Sequence, residues 1–332
     1  MYRLLNIPGG GVRGIISATI VERLTKEKHP ETDEPLLDLK KIYSFAGTST
    51  GSIISSALAS EILTPSEIVE KYKELCEEVF QIRGGLPKLW GLSKWAWRIA
   101  SGAPYDLAKL EKVLESQFKG IRLKDVPNKI VLTTWNLGDN VDNPRRKQAP
   151  LIIHNHPTKH YAKELLDCKM SELVTASCAA PHYFKPKVLN VKGHQYILAD
   201  GGLVGNASSF SNYLICRSPY YDHKVGRKTI ASLSIGNDDN NIYQDIADLN
   251  IGWAAPRRYN AVLGSLVASN MALDDLAMKT FLEDRYFYLN IPGKTWDLDE
   301  TSAISTMEQR ARELDLTDTI KFLKNRFNHE SD

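Results

Sequence analysis

The feature of this 332-residue sequence that most constrains its fold is a run of three glycines between a strand pattern and a helix pattern. The segment NIPGGGVRGII places Gly9, Gly10 and Gly11 after a predicted strand at residues 2–7 and before a predicted helix at residues 12–28. Glycines at such a junction let backbone N–H groups point inward at a helix N-terminus, where negative charge is favoured. The sequence therefore starts with a βα unit whose turn is suited to hold an anion.

Strand-like and helix-like segments alternate along the rest of the chain, which predicts an α/β protein with a mainly parallel central sheet. NVKGHQ at residues 190–195 predicts a hairpin turn between two strands, and Ser66 is a candidate cap for a helix at residues 65–80. Small residues predict a helix at residues 52–59, and long helices are expected at residues 256–282 and 301–327. Further strands are predicted at residues 41–47, 129–135, 151–154, 188–191, 196–199, 229–235 and 285–289.

Composition excludes several classes of protein. Hydrophobic residues make up 42% of the chain and charged residues 25%, which is typical of a folded globular protein. The net charge of +2 is spread along the chain, so binding to a nucleic acid polymer is not expected. The absence of a signal-peptide pattern and of a bilayer-length apolar stretch predicts a cytoplasmic protein that touches a membrane only from its surface.

Cysteine and histidine spacing gives no metal site. The four cysteines are far apart and form no CxxC pair, so free thiols are expected. His154, His156 and His160 form an H-x-H-x3-H pattern, but no carboxylate or thiol completes it nearby. We therefore expect these histidines on the surface of an edge strand.

A second glycine motif follows the second predicted strand. Gly47, Ser49 and Gly51 form G-x-S-x-G between a strand and a helix, a placement that lifts a serine hydroxyl above the sheet near the positive end of the helix. An attacking Ser49 creates an oxyanion that needs preorganised N–H donors. The N–H of Thr50 and those of the first glycine run supply such donors if the two strands are neighbours.

A different interpretation of the first glycine run is a dinucleotide site. Gly9, Gly11 and Gly14 fit G-x-G-x-x-G, but the next strand ends without the acid that binds the ribose. Asp200 is the last residue of another predicted strand and is followed by Gly201 and Gly202. Two interpretations fit this position: a functional carboxylate at the end of the sheet, or an Asp-Gly pair that only forms a turn.

PGGGVRG, GTSTG and ADGG, in this order, resemble the motifs of the patatin-like phospholipases. VLTTWNL, ASCAAPHYFKP, SLSIGN and DRYFYLNIP also resemble segments of that family, so the resemblance runs from about residue 2 to residue 292. It implies a three-layer fold, one domain at residues 1–292, and a helical extension at residues 293–332 packed on the same domain. Pro8 departs from the family pattern, which has aspartate there. Proline fixes φ and lacks an N–H, so it sets the start of the glycine turn and removes the carboxylate's bonds.

The resemblance also implies a chemistry. Ser49 is then the nucleophile of a Ser/Asp dyad without histidine, Asp200 the general base, and the N–H groups of Gly10, Gly11 and Thr50 the oxyanion hole. The implied substrate is a glycerophospholipid, which the protein meets peripherally at a membrane surface, and no metal or organic cofactor is required. Some bacterial relatives are activated by a cyclic nucleotide, and the resemblance permits such an activator here. Supporting positions are Gly9, Arg13, Gly14, Gly47, Gly51, Gly201 and Gly202.

A basic, tryptophan-containing segment at residues 83–102 is a candidate membrane contact. It carries Trp90, Trp95 and Trp97 with lysines and arginines and no acid, as interfacial helices do, although the same tryptophans equally suit a core or a roof over the site. Two other function classes stay open: a nucleotide-binding protein that uses residues 9–14, and an inactive lipid-binding protein, which Pro8 favours.

Overall fold

One eight-stranded sheet organises the part of the chain that the computed structural model describes, namely residues 1–29, 33–80, 103–139, 147–157, 163–218, 225–237, 256–291 and 296–328. Residues 256–263 and 265 belong to a helix, and for them the structure describes only the backbone. The strands are β1 (Tyr2–Ile7), β2 (Ile42–Thr48), β3 (Lys129–Asn136), β4 (Ala149–His154), β5 (Lys187–Val191), β6 (His194–Asp200), β7 (Ile230–Ile235) and β8 (Tyr286–Leu289).

Helices connect and cover these strands. They are α1 (Gly14–Lys26), α2 (Thr50–Ala59), α3 (Pro65–Val79), α4 (Leu107–Phe118), α5 (Met170–Ser177), α6 (Gly202–Gly205), α7 (Ser209–Arg217), α8 (Pro256–Leu282), α9 (Ile304–Glu313) and α10 (Thr317–Phe322).

The sheet runs in the order β5, β6, β3, β2, β1, β7, β8, with β4 also paired to β3. Strands β1, β2, β3, β7 and β8 are parallel, whereas β4 and β6 run antiparallel to β3 and β5 antiparallel to β6. The expected hairpin is the β5–β6 pair. The α/β class and the mainly parallel sheet are therefore confirmed, and β1 and β2 are neighbours.

The two faces of the sheet bury different helices. Leu5 and Ile7 of β1 face a large apolar core that includes residues of α1, α2 and α3, whereas Leu4 faces a second core with Tyr213 of α7 and Met278 of α8. Successive side chains of a strand point to opposite faces, so this alternation places the sheet between two helical layers.

Three helix predictions need correction at their ends. The first helix is preceded by a 3-10 turn at Gly11–Arg13, and α1 itself starts at Gly14. Thr64, not Ser66, caps α3, because its hydroxyl accepts the Glu67 N–H at 3.3 Å while the Glu67 carboxylate accepts the Thr64 N–H at 2.7 Å. This reciprocal pair is a capping box, and Pro65 occupies the first helical position.

The predicted helix at residues 301–327 is divided in two. Leu314 is extended, and Leu316 turns into the core with 3% of its surface exposed. The Asp315 carboxylate accepts the Thr317 N–H at 2.9 Å and starts α10 afresh. Burying Leu316 and capping the next helix thus outweigh the continuous helical spacing.

The expectation of surface histidines is wrong for two of the three. His154 and His156 are 6% and 1% exposed, and Nε2 of His156 lies 2.9 Å from the Ser44 hydroxyl of β2. The ring of His156 also packs against Tyr43. His160 lies outside the described residues. Within the described ranges no group of three His, Cys, Asp or Glu side chains is arranged to hold a metal ion.

Candidate active site

Ser49 stands on a strained turn between β2 and α2. Its φ of 52° and ψ of −128° are uncommon for any residue with a side chain, and such conformations cost on the order of 1–3 kcal/mol each. The turn needs bare backbone because a Cβ at position 51 would lie 2.0 Å from the Ile7 carbonyl oxygen. A Cβ on Gly47 would meet the Gly51 carbonyl oxygen at 2.3 Å. The motif therefore presents the Ser49 side chain at the end of the sheet.

Asp200 meets this serine from the last residue of β6. The Ser49 hydroxyl lies close enough to the Asp200 carboxyl to lower its pKa, and the Gly202 N–H donates to Asp200 Oδ1 at 2.7 Å. Asp200 is 5% exposed. Burial raises the pKa of this carboxyl to about 6, although the Ser49 side chain and the hydrogen bond from Gly202 lower it. The carboxylate is thus ionised at neutral pH and has a basicity above that of an ordinary aspartate.

Strand β3 is the element that brings the two side chains together. Thr48 of β2 pairs with Thr133, and Asp200 of β6 pairs with the next residue, Thr134, on the same edge of β3, because β4 pairs along the opposite edge. Because β6 runs antiparallel and overlaps only the C-terminal end of β3, its own end still reaches the end of β2. The Ser177 hydroxyl adds a link, since it accepts the Ser49 N–H at 3.0 Å and donates to the Thr133 carbonyl at 2.8 Å.

The glycine loop, residues 9–14, directs several N–H groups into the protein. The Gly9 N–H donates to the Asn206 carbonyl at 3.3 Å, the Gly10 N–H to the Thr50 hydroxyl at 3.1 Å, and the Val12 N–H to the Leu298 carbonyl at 2.8 Å. Thr50 is the first residue of α2, so its own N–H lacks an intrahelical partner. Gly11 has a φ of 57°, and a Cβ there would lie 2.1 Å from the Leu298 carbonyl oxygen.

Side chains hold the carbonyl groups of the same loop. Arg13 Nε donates to the Gly10 carbonyl at 3.0 Å, and the buried Tyr72 hydroxyl of α3 donates to the Gly11 carbonyl at 2.5 Å. Burial raises the pKa of the Tyr72 hydroxyl well above the usual value, although the nearby Thr50 side chain lowers it. Helix α3 thereby fixes the loop from outside the motif.

Pro8 is accommodated by two asparagines. Asn237 donates to the Gly9 carbonyl at 3.3 Å and to the Pro8 carbonyl at 3.4 Å, and Asn206 donates to the Gly9 carbonyl at 3.2 Å. Both amides are nearly fully buried. The start of the loop is therefore held through backbone carbonyls, which need no side chain at position 8.

A cavity of about 320 Å³ opens over these groups. Most of its remaining lining is apolar, and part of it comes from the C-terminal segment through Trp296. The other apolar lining residues are Ile53, Leu75, Val79, Phe80, Leu110, Ala180, Pro181, Tyr183, Phe184, Leu203, Val267 and Leu298. The site thus joins a serine, a raised-pKa carboxylate and an apolar chamber.

The structure brings most of the candidate residues into one place. Of the candidate residues from the sequence, those that line the cavity are Gly9, Gly10, Gly11, Arg13, Ser49, Thr50, Asp200 and Gly202. Four others lie outside its lining and closely approach neighbouring atoms: Gly14 approaches Tyr72, Gly201 approaches Thr133, Gly47 approaches the Gly51 backbone, and Gly51 approaches the Ile7 backbone. Trp90, Trp95 and Trp97 lie outside the described residues.

Sequence reasoning missed the residues that support the site. Ser177 and Asn237 lie inside segments that resemble the family, but nothing in those segments indicated a role. Tyr72, Asn206 and Leu298 lie outside every motif. Each acts through one or two hydrogen bonds to backbone groups or by close approach to them, and such contacts leave no spacing pattern in the sequence.

Comparison with known proteins agrees with this geometry. A family model described as patatin-like phospholipase matches residues 5–208, and the chain belongs to this family. Patatin-like protein 2 of Oryza sativa subsp. indica is 28% identical over 74% of this chain and 63% of its own length. A cGAMP-activated phospholipase of Pseudomonas aeruginosa is 31% identical over 62% of this chain and 54% of its own length. The chain thus spans less than two thirds of either relative.

Proposed function

We propose that this chain is a lipid acyl hydrolase of the phospholipase A or lysophospholipase type, which cleaves fatty acyl esters of glycerophospholipids through an acyl-enzyme on Ser49. The observation that carries the proposal is the placement of Ser49 beside the buried Asp200 carboxyl in one apolar cavity. Membership of the patatin-like phospholipase family supports the same reaction class.

The proposed reaction has two halves. Asp200 takes the Ser49 proton as Oγ attacks the ester carbonyl, and the tetrahedral intermediate collapses with transfer of that proton to the departing lysolipid oxygen. Asp200 then takes a proton from water, whose oxygen attacks the acyl carbonyl, and the proton returns to Ser49 as the fatty acid leaves. A base with a pKa of about 6 suits both steps at neutral pH.

The oxyanion is assigned to the N–H groups of Gly11 and Thr50. The Gly10 N–H is engaged by the Thr50 hydroxyl at 3.1 Å, so it joins the oxyanion hole only when that contact opens. In the resting geometry Gly10 positions Thr50 instead. Preorganised donors of this kind contribute about 3–4 kcal/mol to transition-state stabilisation.

The same loop geometry disfavours a dinucleotide site at residues 9–14. A pyrophosphate site needs free N–H groups that point at the ligand. Here the N–H groups of Gly9, Gly10 and Val12 already donate to protein oxygens. We therefore give the loop an oxyanion and structural role.

We further propose that the helices after residue 292 belong to the catalytic unit. Trp296 lines the cavity and Leu298 accepts the Val12 N–H, so this segment contributes to the site itself. The enzyme is proposed to act peripherally on a membrane from the cytoplasm. Among the described helices, none has both the length and the apolar character of a bilayer span.

The test is labelling of the protein with a short-chain fluorophosphonate, followed by peptide mapping. We expect the adduct on Ser49 in the wild type, none in Ser49→Ala, and a rate reduced at least a hundredfold in Asp200→Asn. Because one relative is named a cGAMP-activated phospholipase, labelling is compared with and without cGAMP in the presence of phosphatidylcholine vesicles.

Asp274→Asn is the matched control for this test. Asp274 of α8 is also buried, hydrogen-bonds Ser209, and has a pKa raised by burial to about 6, but it does not line the cavity. We expect wild-type labelling in this variant. Absence of a Ser49 adduct in the wild type under every condition would refute the proposed function.

A further inference from the structure

A second cavity of about 240 Å³ lies between α2, α3 and α4. Its buried lining is apolar and includes Ala57, Ile68, Leu114 and Phe118. Charged side chains of both signs, among them Glu74, Glu78 and Lys112, are exposed at its rim. An uncharged, apolar occupant therefore fits the interior, and the rim offers no net charge to an ion.

This cavity shares a wall with the catalytic one. Ile53 and Leu75 line both cavities, and each is less than a tenth exposed. Ile53 lies on α2 one helical turn beyond Ser49, so the shared wall is close to the nucleophile. Only these two side chains are common to both linings among the described residues.

We propose that the acyl chain of the substrate runs from Ser49 past Ile53 and Leu75 into the second cavity, and that these two side chains set the acyl chain length the enzyme prefers. The inference rests on the proposed function, because it assigns the far end of the chain that is esterified to Ser49. A chain of methylenes matches the apolar interior, and each methylene buried there contributes to binding.

Tyr72 limits how this inference is tested. Its ring lines the second cavity while its hydroxyl holds the Gly11 carbonyl, so a substitution there alters the oxyanion loop as well. Ala57 and the two wall residues avoid this confusion. Ala57 belongs to α2, the helix that follows Ser49, and it lines the second cavity but not the catalytic one.

The first experiment fills the second cavity with Ala57→Phe and compares kcat/KM for the octanoyl and palmitoyl esters of one alcohol. We expect kcat/KM for the palmitoyl ester to fall at least about tenfold, as when two methylenes are left unburied, while the octanoyl ester is unaffected. Ala108→Phe on the exposed side of α4 adds the same volume outside both cavities and keeps the wild-type ratio.

The second experiment opens the wall with Ile53→Ala combined with Leu75→Ala. We expect the palmitoyl-to-octanoyl ratio of kcat/KM to rise several-fold, which tests the inference even if Ala57→Phe does not fold. An unchanged ratio in the folded variants, with normal fluorophosphonate labelling of Ser49, overturns the inference and leaves the proposed function standing. Loss of labelling in the wild type would instead remove the proposed function.

Discussion

At the scale of single residues, the site depends on one carboxyl group whose surroundings oppose its charge. Burial raises the pKa of Asp200 to about 6, above the ordinary value near 3.8. The folded protein therefore binds this proton more tightly than the unfolded chain does, and the stability of the fold falls as pH rises from about 4 to about 6. A pKa of about 6 also suits the general-base role that we propose for Asp200, because such a base works best with a pKa near the working pH.

The pH dependence of ester hydrolysis follows from this group. We expect kcat/KM to fall tenfold per pH unit below about 6, because protonated Asp200 cannot accept the Ser49 proton. Steady-state rates in buffers of constant ionic strength measure the profile. The Asp274→Asn variant should keep the same acid limb, since Asp274 lies outside the cavity although its pKa is also about 6. If the limb moves in that variant, its assignment to Asp200 is wrong.

At the scale of elements, the glycine loop is held by helices that are distant from it in sequence. Tyr72 of α3 reaches the Gly11 carbonyl, Thr50 of α2 accepts the Gly10 N–H, and Asn206 after α6 bonds both backbone groups of Gly9. The glycines allow the backbone conformation of the loop, and hydrogen bonds from the neighbouring elements hold the loop in that conformation.

Removal of one such link gives a test of positioning. Tyr72→Phe is expected to lower kcat about fivefold, because a lost hydrogen bond worth about 1 kcal/mol lets the Gly11 carbonyl and the adjoining N–H shift. KM for the ester should change little, and rates with a short acyl ester provide the measurement. Tyr196→Phe removes a comparable hydrogen bond to Glu164 outside the cavity and should leave kcat unchanged. Equal losses in both variants would contradict a specific role for Tyr72.

The sequence predicted the positions of helices and strands better than it predicted the long-range contacts between them. Strand β1 and helix α8 have the predicted bounds, because apolar periodicity is a local property. Strand β4 runs antiparallel to β3, and His154 at its end and His156 just after it are buried. Both features depend on long-range strand pairing, which no local sequence pattern contains. The helix break at Asp315 likewise follows from where Leu316 is buried.

At the scale of the whole molecule, the C-terminal helices close onto the first βα unit. Arg23 of α1 donates to the carbonyls of Ala311 and Leu314 at 2.7 and 2.9 Å, and Arg3 of β1 donates to the Phe327 carbonyl at 2.8 Å. These contacts satisfy carbonyl groups at the ends of helices, which lack partners within the helix. The last part of the chain is thus tied to its first strand and helix.

This closure is expected to contribute to stability. Arg23→Ala should lower the free energy of unfolding by about 2 kcal/mol, since hydrogen bonds that involve a charged group contribute about 1.5–3 kcal/mol. Urea unfolding followed by circular dichroism measures the change. Arg326→Ala loses an exposed ion pair with Asp284 and an exposed 3.4 Å hydrogen bond to the neighbouring Asn325 carbonyl, and should cost less than about 1 kcal/mol. A larger loss in Arg326→Ala than in Arg23→Ala would refute the assignment.

The bond from Val12 to Leu298 has a consequence for biosynthesis. A ribosome delivers the glycine loop, Ser49 and Asp200 long before it delivers Leu298, so a nascent or prematurely terminated chain lacks the backbone against which the loop is set. Such a chain carries Ser49, the proposed nucleophile, without the completed loop. The glycine loop of this chain therefore reaches its described conformation only after Leu298 has been translated and has folded against it.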